Sequence, residues 1–256
     1  MPITLRALLV VAVAVALALA GRAALGRYSR PEWVAEAQPT ADMVIEAMAA
    51  LYGVLVAFLL SGAWERFDQT RGTMMLEANA IADLGQVAAL FPEPLRDDLS
   101  AAVEAYRVSV IAELPQLAEG GRSTEPDAIL DRVWRILAGF EPATPAQVDL
   151  QSRAFDAVEE LADQRRFRLQ AIRRTLPPIL WVILVGGAAA VLVVVASSSA
   201  DGRLPAVYLA LLSAMISFAL FAIYALSNPI RSGLAAELAP FLEGLLRGLP
   251  DGALYR

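Results

Sequence analysis

Four long apolar runs constrain this chain more than any other feature. They cover residues 3–21, 43–64, 176–196 and 204–230. Each run approaches the ~20 residues that an α-helix needs to cross a hydrocarbon core of ~30 Å. The sequence therefore predicts an all-α integral membrane protein with four transmembrane helices.

The polar residues are concentrated between the second and third runs, which sets the expected organisation. We expect, in order, 1–41 as the N-terminal span and a linker, 42–64 as the second transmembrane helix, 65–175 as a cytoplasmic helical insert, 176–230 as a hairpin of spans three and four, and 231–256 as a C-terminal tail. The first run ends in Ala-Leu-Ala, so a cleaved signal peptide is the alternative. An uncleaved span is favoured because the run exceeds the usual ~7–15-residue signal core.

Arginines near the ends of the spans predict the orientation, since cytoplasmic loops carry an excess of positive charge. The insert side has Arg66, Arg71, Arg165, Arg166, Arg168, Arg173 and Arg174, and the other side has Arg22, Arg27, Arg30 and Arg203. The majority places the insert, the C-terminus and any uncleaved N-terminus in the cytoplasm. We expect a multi-pass protein of the cell inner membrane, with the lipid bilayer as its first partner.

Composition excludes several kinds of chemistry. The chain has no Cys and no His, and all 21 of its basic residues are Arg, so thiolate, imidazole and lysine Schiff-base sites are absent. It also lacks the common catalytic and nucleotide-binding motifs. We therefore expect no enzyme, no catalytic residue, no cofactor and no metal site. The net charge of -6 argues against a nucleic-acid partner.

Proline- and glycine-rich breaks at 92–94, 120–123 and 141–145 divide the insert into four helices. Thr144, Pro145 and Gln147 form an N-terminal capping pattern for the last one. Because no break separates 64 from 91 or 147 from 176, spans two and three are predicted to continue into the insert as long helices.

The last insert helix carries an apolar stripe that predicts packing. The stripe comprises Val148, Phe155, Val158, Ala162, Leu169 and Ile172, with Gln151 and Arg165 as polar exceptions. On the opposite strip, Glu159, Glu160 and Asp163 stand near Arg166 and Arg168. That strip is interpreted as a solvated charged face.

Several short stretches have a distinctive combination of residues. They are LYGVLVAFLLSGAWERFD (51–68), EANAIAD (77–83), LFPEP (90–94), FEPATP (140–145), LADQRR (161–166), LPPILW (176–181) and AIYALSNPIR (222–231). Together they resemble the bestrophin-like family of bacterial and plant membrane proteins, over roughly residues 45–247.

The resemblance implies a homo-oligomeric ion channel, because bestrophins are anion channels assembled as pentamers of four-span subunits with large cytosolic helical regions. Its partners would then be further copies of this chain and inorganic ions. The aromatic-rich neck motif and the acidic calcium-clasp cluster of animal bestrophins are not found. Anion selectivity and calcium gating are therefore not carried over, and the ion stays unassigned.

The junction where span two leaves the membrane supplies the pore-lining candidates. Glu65 and Asp68 lie three residues apart on one helix face, and Ser61 and Phe58 continue that face into the bilayer. Repeated around a symmetry axis, the carboxylates would form an acidic ring that suits cations. The alternative is that Glu65 pairs with an arginine of a neighbour.

Further residues give weaker signals. Glu77, Asn79 and Asp83 form a candidate polar cluster in the insert, but one helix does not supply the six oxygens that a hard cation needs. Ser213 with Ser217, and the glycine pair at 186–187, indicate close helix packing.

The alternative to a channel is a membrane-anchored scaffold or signalling module that presents a helical domain without conducting ions.

Overall fold

The computed structural model describes residues 3–28, 31–173, 176–197 and 203–232. The helices are α1 (Ile3–Tyr28), α2 (Pro31–Ala88), α3 (Leu95–Glu119), α4 (Glu125–Ala138), α5 (Pro145–Arg173), α6 (Pro178–Ser197), α7 (Arg203–Ser227) and α8 (Pro229–Ser232). Among these described residues no strand occurs. The prediction of an all-α chain is confirmed.

Four helices are long and apolar enough to cross a membrane. They lie within Ile3–Ala24, Glu46–Ala88, Pro145–Ser197 and Leu204–Ser227. The chain divides into two compact units, which we call the span unit (Met1–Arg66 and Thr175–Asn228) and the insert unit (Phe67–Arg174 and Pro229–Arg256). The four apolar helices confirm the predicted number of candidate spans.

The span unit is held together by α1, α2, α6 and α7. Helix α1 packs against α6 and α7, which also pack against each other. The Tyr52 hydroxyl of α2 donates a 3.0 Å hydrogen bond to the Leu184 carbonyl of α6, and its ring covers Gly187, where an added Cβ would lie 2.7 Å from Tyr52 Cδ2. The close contact expected of the glycine pair is confirmed for Gly187, whereas Gly186 faces open space.

The insert unit has a hydrophobic core of its own. It is formed by the end of α2 and by α3, α4 and α5, with Met74, Leu84, Leu99, Leu137 and Leu161 at most 2% exposed. The apolar stripe of α5 packs into this core, with Val158 at its centre. Only Val148, in the first turn of α5, departs from the prediction and is exposed.

The helix ends in the insert follow from local chemistry. The Gln147 amide donates to Thr144 Oγ1 over 3.3 Å, while Gln147 Oε1 accepts a 2.7 Å hydrogen bond from the Ala143 amide. This is the predicted capping pattern with its second bond moved by one residue. Gln151, one of the polar exceptions, donates to the carbonyls of Leu137 and Phe140 and so caps the end of α4.

Two helix boundaries differ from the sequence prediction. Helix α2 begins at Pro31, so the second half of the expected linker is helical. Span three is not continuous with the insert helix, because Leu176 and Pro177 lie outside any helix. Each precedes a proline, whose ring disfavours the helical conformation of the residue before it. The expected tail beyond residue 232 lies outside the described residues.

Candidate functional site

One face of α2 in the span unit is left uncovered over its whole apolar length. Leu51, Val54, Phe58, Ser61 and Glu65 are all exposed there, with Leu51 at 74% and Phe58 at 75%. Their spacing of three and four residues places them on a single strip of the helix. This strip, which we call the open face of α2, contains three of the four pore-lining candidates.

The opposite side of α2 fixes which way the open face points within the span unit. Tyr52 and Ala63 are buried on that side, at 8% and 0% exposure, and both belong to apolar clusters shared with α6 and α7. The uncovered strip is therefore a part of α2 that the described residues of its own chain do not cover.

Asp68, the fourth pore-lining candidate, is exposed on the part of α2 that belongs to the insert unit. It follows Glu65 by three residues along the helix, so the two carboxylates share a face, as the sequence predicts. Trp64, beside them, is 61% exposed, which is typical of an aromatic residue at a membrane–water interface.

The second predicted group, Glu77, Asn79 and Asp83, does not form a cluster. Asn79 and Asp83 are exposed, but Glu77 is 0% exposed and faces the core of the insert unit. The structure thus separates Glu77 from the other two. Among the described residues, no group of three or more acidic side chains could hold a metal ion.

Glu77 belongs instead to a buried charge network centred on α5. The fully buried Arg168 donates through Nε and Nη2 to the Glu77 carboxylate, and Nη2 also donates to Glu113 Oε2 over 3.1 Å. The Tyr106 hydroxyl donates a 2.8 Å hydrogen bond to Glu77 Oε1. The oxygens of Glu77 are therefore engaged by Arg168 and Tyr106 inside the core and are not available as ligands.

Arg165 extends the network toward the surface. Its Nη1 and Nη2 donate to the two oxygens of Glu113 over 2.8 and 3.0 Å, which is the bidentate geometry that planar guanidinium favours. Its Nε donates to Asp127 Oδ1 over 2.8 Å, and Asp127 also accepts from the exposed Arg122. Five charged residues and one tyrosine thus form the charge network: Glu77, Tyr106, Glu113, Asp127, Arg165 and Arg168.

The electrostatics of the network keep it charged. Burial by itself would raise the pKa of Glu113, but its hydrogen bonds to Arg165 and the charges of both arginines outweigh burial and hold that pKa below its ordinary value. The pKa of Asp127 is lowered in the same way. Burial, followed by the charge of Glu77, raises the pKa of Tyr106, so this hydroxyl stays protonated and donates.

Placing Arg168 on a solvated face was wrong. Arg165 and Arg168 are three residues apart on α5, and both point into the core of the insert unit at 1% and 0% exposure. The sequence carries a partial signal, because Arg165 interrupts an apolar stripe and Glu113 stands between the buried Val110 and Leu117 on α3. Glu113 pairs with Arg165 and Arg168, 52 and 55 positions away, and no pattern in the local sequence indicates that pairing.

The network is suited to fixing the helices of the insert and not to catalysis, because its carboxylates are engaged by guanidinium groups. The span unit, by contrast, presents an unused strip that ends in a carboxylate. This strip is the candidate functional site.

Comparison with known proteins gives one family. The family model described as "Bestrophin-like domain" matches residues 10–241, which include three of the four candidate spans and most of the first. Neither the comparison with curated proteins nor that with solved structures gives a match. The match extends over nearly the whole chain, and with its four apolar helices the chain is a membrane protein that belongs to the bestrophin-like family.

Proposed function

We propose that this protein is a homo-oligomeric ion channel in which α2 of each copy lines the pore. The observation that carries the proposal is the open face of α2, an exposed strip that runs from Leu51 through Phe58 and Ser61 to Glu65. The family membership supports the proposal, because a bestrophin-like domain suggests a channel-like or membrane protein.

The polar end of the open face favours water over lipid as its neighbour. A strip that faced lipid throughout would be apolar as far as the interface, since polar groups in hydrocarbon are costly. Here the apolar residues give way to Ser61 one turn before Glu65. A water-filled symmetry axis surrounded by further copies of the chain accommodates both the apolar and the polar residues of this strip.

The charge at the exit of the pore would favour cations. Glu65 and Asp68 from each copy would give a ring with two carboxylates per subunit, and acidic rings are typical of cation channels. The alternative arrangement, in which Glu65 pairs with an arginine of a neighbouring copy, would neutralise the ring and remove this preference.

Ion flux through purified protein in liposomes tests the proposal. The double variant Glu65→Gln/Asp68→Asn should shift the reversal potential toward lower cation preference while leaving a measurable current. The matched control is Asp156→Asn/Glu159→Gln, which removes the same charge from an exposed pair with the same spacing on α5. An unchanged permeability ratio in the first variant would remove these two residues from the pore.

A scaffold function has one observation in its favour, which is that the insert unit has a complete hydrophobic core of its own. Such a domain could be presented to a cytosolic partner without any pore. The flux measurement separates the two functions, since a scaffold would leave the liposomes sealed.

A further inference from the structure

A long apolar groove runs along α1 in the span unit, between α6 and α7. Its wider part has a volume of about 590 Å³ and is lined by Arg6, Leu9, Val10, Trp181, Phe221 and Tyr224, among others. A second part of about 340 Å³ continues toward Gly21. The two parts share Ala14, Val185, Ser217 and Leu220, so they form one groove.

The dimensions of the groove suit an acyl chain. Its lining runs from Arg6 to Gly21, which is about 22 Å of helix at 1.5 Å per residue, more than the ~15 Å of half a hydrocarbon core. The hydroxyl of Ser217 donates to the Ser213 carbonyl over 2.7 Å, so this polar side chain is already satisfied. The remaining lining is apolar apart from one end.

That end carries the features of a headgroup site. Arg6 is exposed, and among the described residues that line the groove it is the one that carries a charge. Beside it, the rings of Trp181 and Tyr224 lie edge to face with their centroids 6.3 Å apart. Trp and Tyr are typical of the headgroup level of a bilayer, and an arginine at that level attracts anionic lipid.

We propose that this groove is a binding site for an anionic phospholipid, whose phosphate pairs with Arg6 and whose acyl chain lies along α1 between α6 and α7. The complementarity of charge selects this occupant. A helix from a second copy would need to bring a carboxylate to Arg6 and would leave no role for the aromatic pair. The proposal is independent of ion conduction.

Quenching of Trp181 fluorescence by brominated lipids tests the site in the full-length protein. Replacing Trp33, Trp64 and Trp134 by Phe leaves Trp181 as the single emitter, and bromine on the acyl chain quenches only on contact. In vesicles of unlabelled phosphatidylcholine, brominated phosphatidylglycerol should half-quench Trp181 at about a fivefold lower mole fraction than brominated phosphatidylcholine.

Two sets of variants locate the effect. Arg6→Gln should abolish the preference for the anionic lipid and Arg6→Lys should keep it, while Arg22→Gln, the same charge change farther along α1, should have no effect. Ala14→Phe, inside the groove, should reduce quenching by both lipids. Ala12→Phe is its control, because Ala12 is exposed and does not line the groove.

The outcomes are distinct. Equal quenching of the single-tryptophan protein by both lipids would overturn the proposal, because the groove would then hold ordinary bilayer lipid. Quenching by neither lipid would also overturn it, since a protein segment or a second copy would have to cover Trp181. These measurements on the single-tryptophan protein stand even if a variant at Arg6 or Ala14 fails to fold.

Discussion

Glu113 is the group whose removal should most weaken the insert unit. Its carboxylate is buried and accepts hydrogen bonds from Arg165 Nη1, Arg165 Nη2, Arg168 Nη2 and the Ser123 amide, at 2.8, 3.0, 3.1 and 3.2 Å. The variant Glu113→Gln keeps the shape of the side chain but removes its charge. It also turns an amide NH₂ toward guanidinium donors, so two buried arginines lose their shared partner.

The expected cost follows from the burial of these groups. Removing one partner of a buried ion pair costs about 3–5 kcal/mol, and here the two buried arginines keep only Glu77 and the partly exposed Asp127 as acidic partners among the described residues. Asp127→Asn is the matched control, since this carboxylate binds Arg165 in the same network but its side chain is 39% exposed. Partly exposed ion pairs contribute about 0–1 kcal/mol. The two variants should therefore differ by at least about 2 kcal/mol.

Amide hydrogen exchange of the full-length protein in detergent measures this difference locally. Peptides from α3 and α5 report the opening of the network, and peptides from α7 serve as an internal reference. At about 1.4 kcal/mol per factor of ten, Glu113→Gln should accelerate exchange through opening by roughly 150- to 4,000-fold. Asp127→Asn should accelerate it less than tenfold.

Comparable exchange in the two variants would contradict this prediction. It would mean that the buried Glu113 contributes no more to the stability of the insert unit than the half-exposed Asp127. Accelerated exchange in the α7 peptides as well would show that the variant destabilises the whole protein, whereas we expect its effect to be confined to the insert unit.

The response to acid and substitutions at four glycines give further predictions. Lowering the pH should weaken the charge network. The pKa values of Glu113 and Asp127 are depressed in the folded protein, so the stability they give is complete above the ordinary values near 4 and is lost as the pH falls through the native values. Amide exchange in α5, corrected for the intrinsic effect of pH on the exchange rate, should therefore rise only in acid. Gly187→Ala should be about 1–3 kcal/mol less stable to thermal unfolding than Gly186→Ala, because an added Cβ meets the ring of Tyr52 only in the former. Gly120, at φ 88°, ends α3 in the left-handed region, whereas Gly139, at φ -81°, ends α4 in the right-handed region. Gly120→Ala should therefore lower the stability of the end of α3 by about 1–2 kcal/mol, and Gly139→Ala should lower that of α4 much less. Amide exchange at the two helix ends measures both effects.

Local signals predicted the helices of this protein well. The breaks that separate the insert helices are chemically explicit, and the ends of α3, α4 and α5 lie beside them. The apolar runs likewise correspond to the candidate spans. The double proline after Leu176 limits the prediction, because its rings disfavour the helical conformation of the residues before them and so separate α6 from the insert helix.

Signals that depend on distant partners were read less well. Glu77 looked like a neighbour of Asn79 and Asp83, because all three are polar and close in sequence. Its actual partner is Arg168, 91 residues away. Spacing along a helix tells which residues share a face, but only packing decides whether a charge on that face meets water or an opposite charge.

The arginines at the centre of the insert have a consequence for its chemistry. Guanidinium stays protonated at any pH a cell reaches. Burial alone would lower the pKa of Arg165, but its hydrogen bonds to Glu113 and Asp127 raise that pKa above its ordinary value, so alkaline conditions cannot discharge this residue. A lysine in its place would offer an amine open to acetylation and to deprotonation on burial. The core of the insert thus holds a cation that neither base nor lysine-modifying enzymes can neutralise.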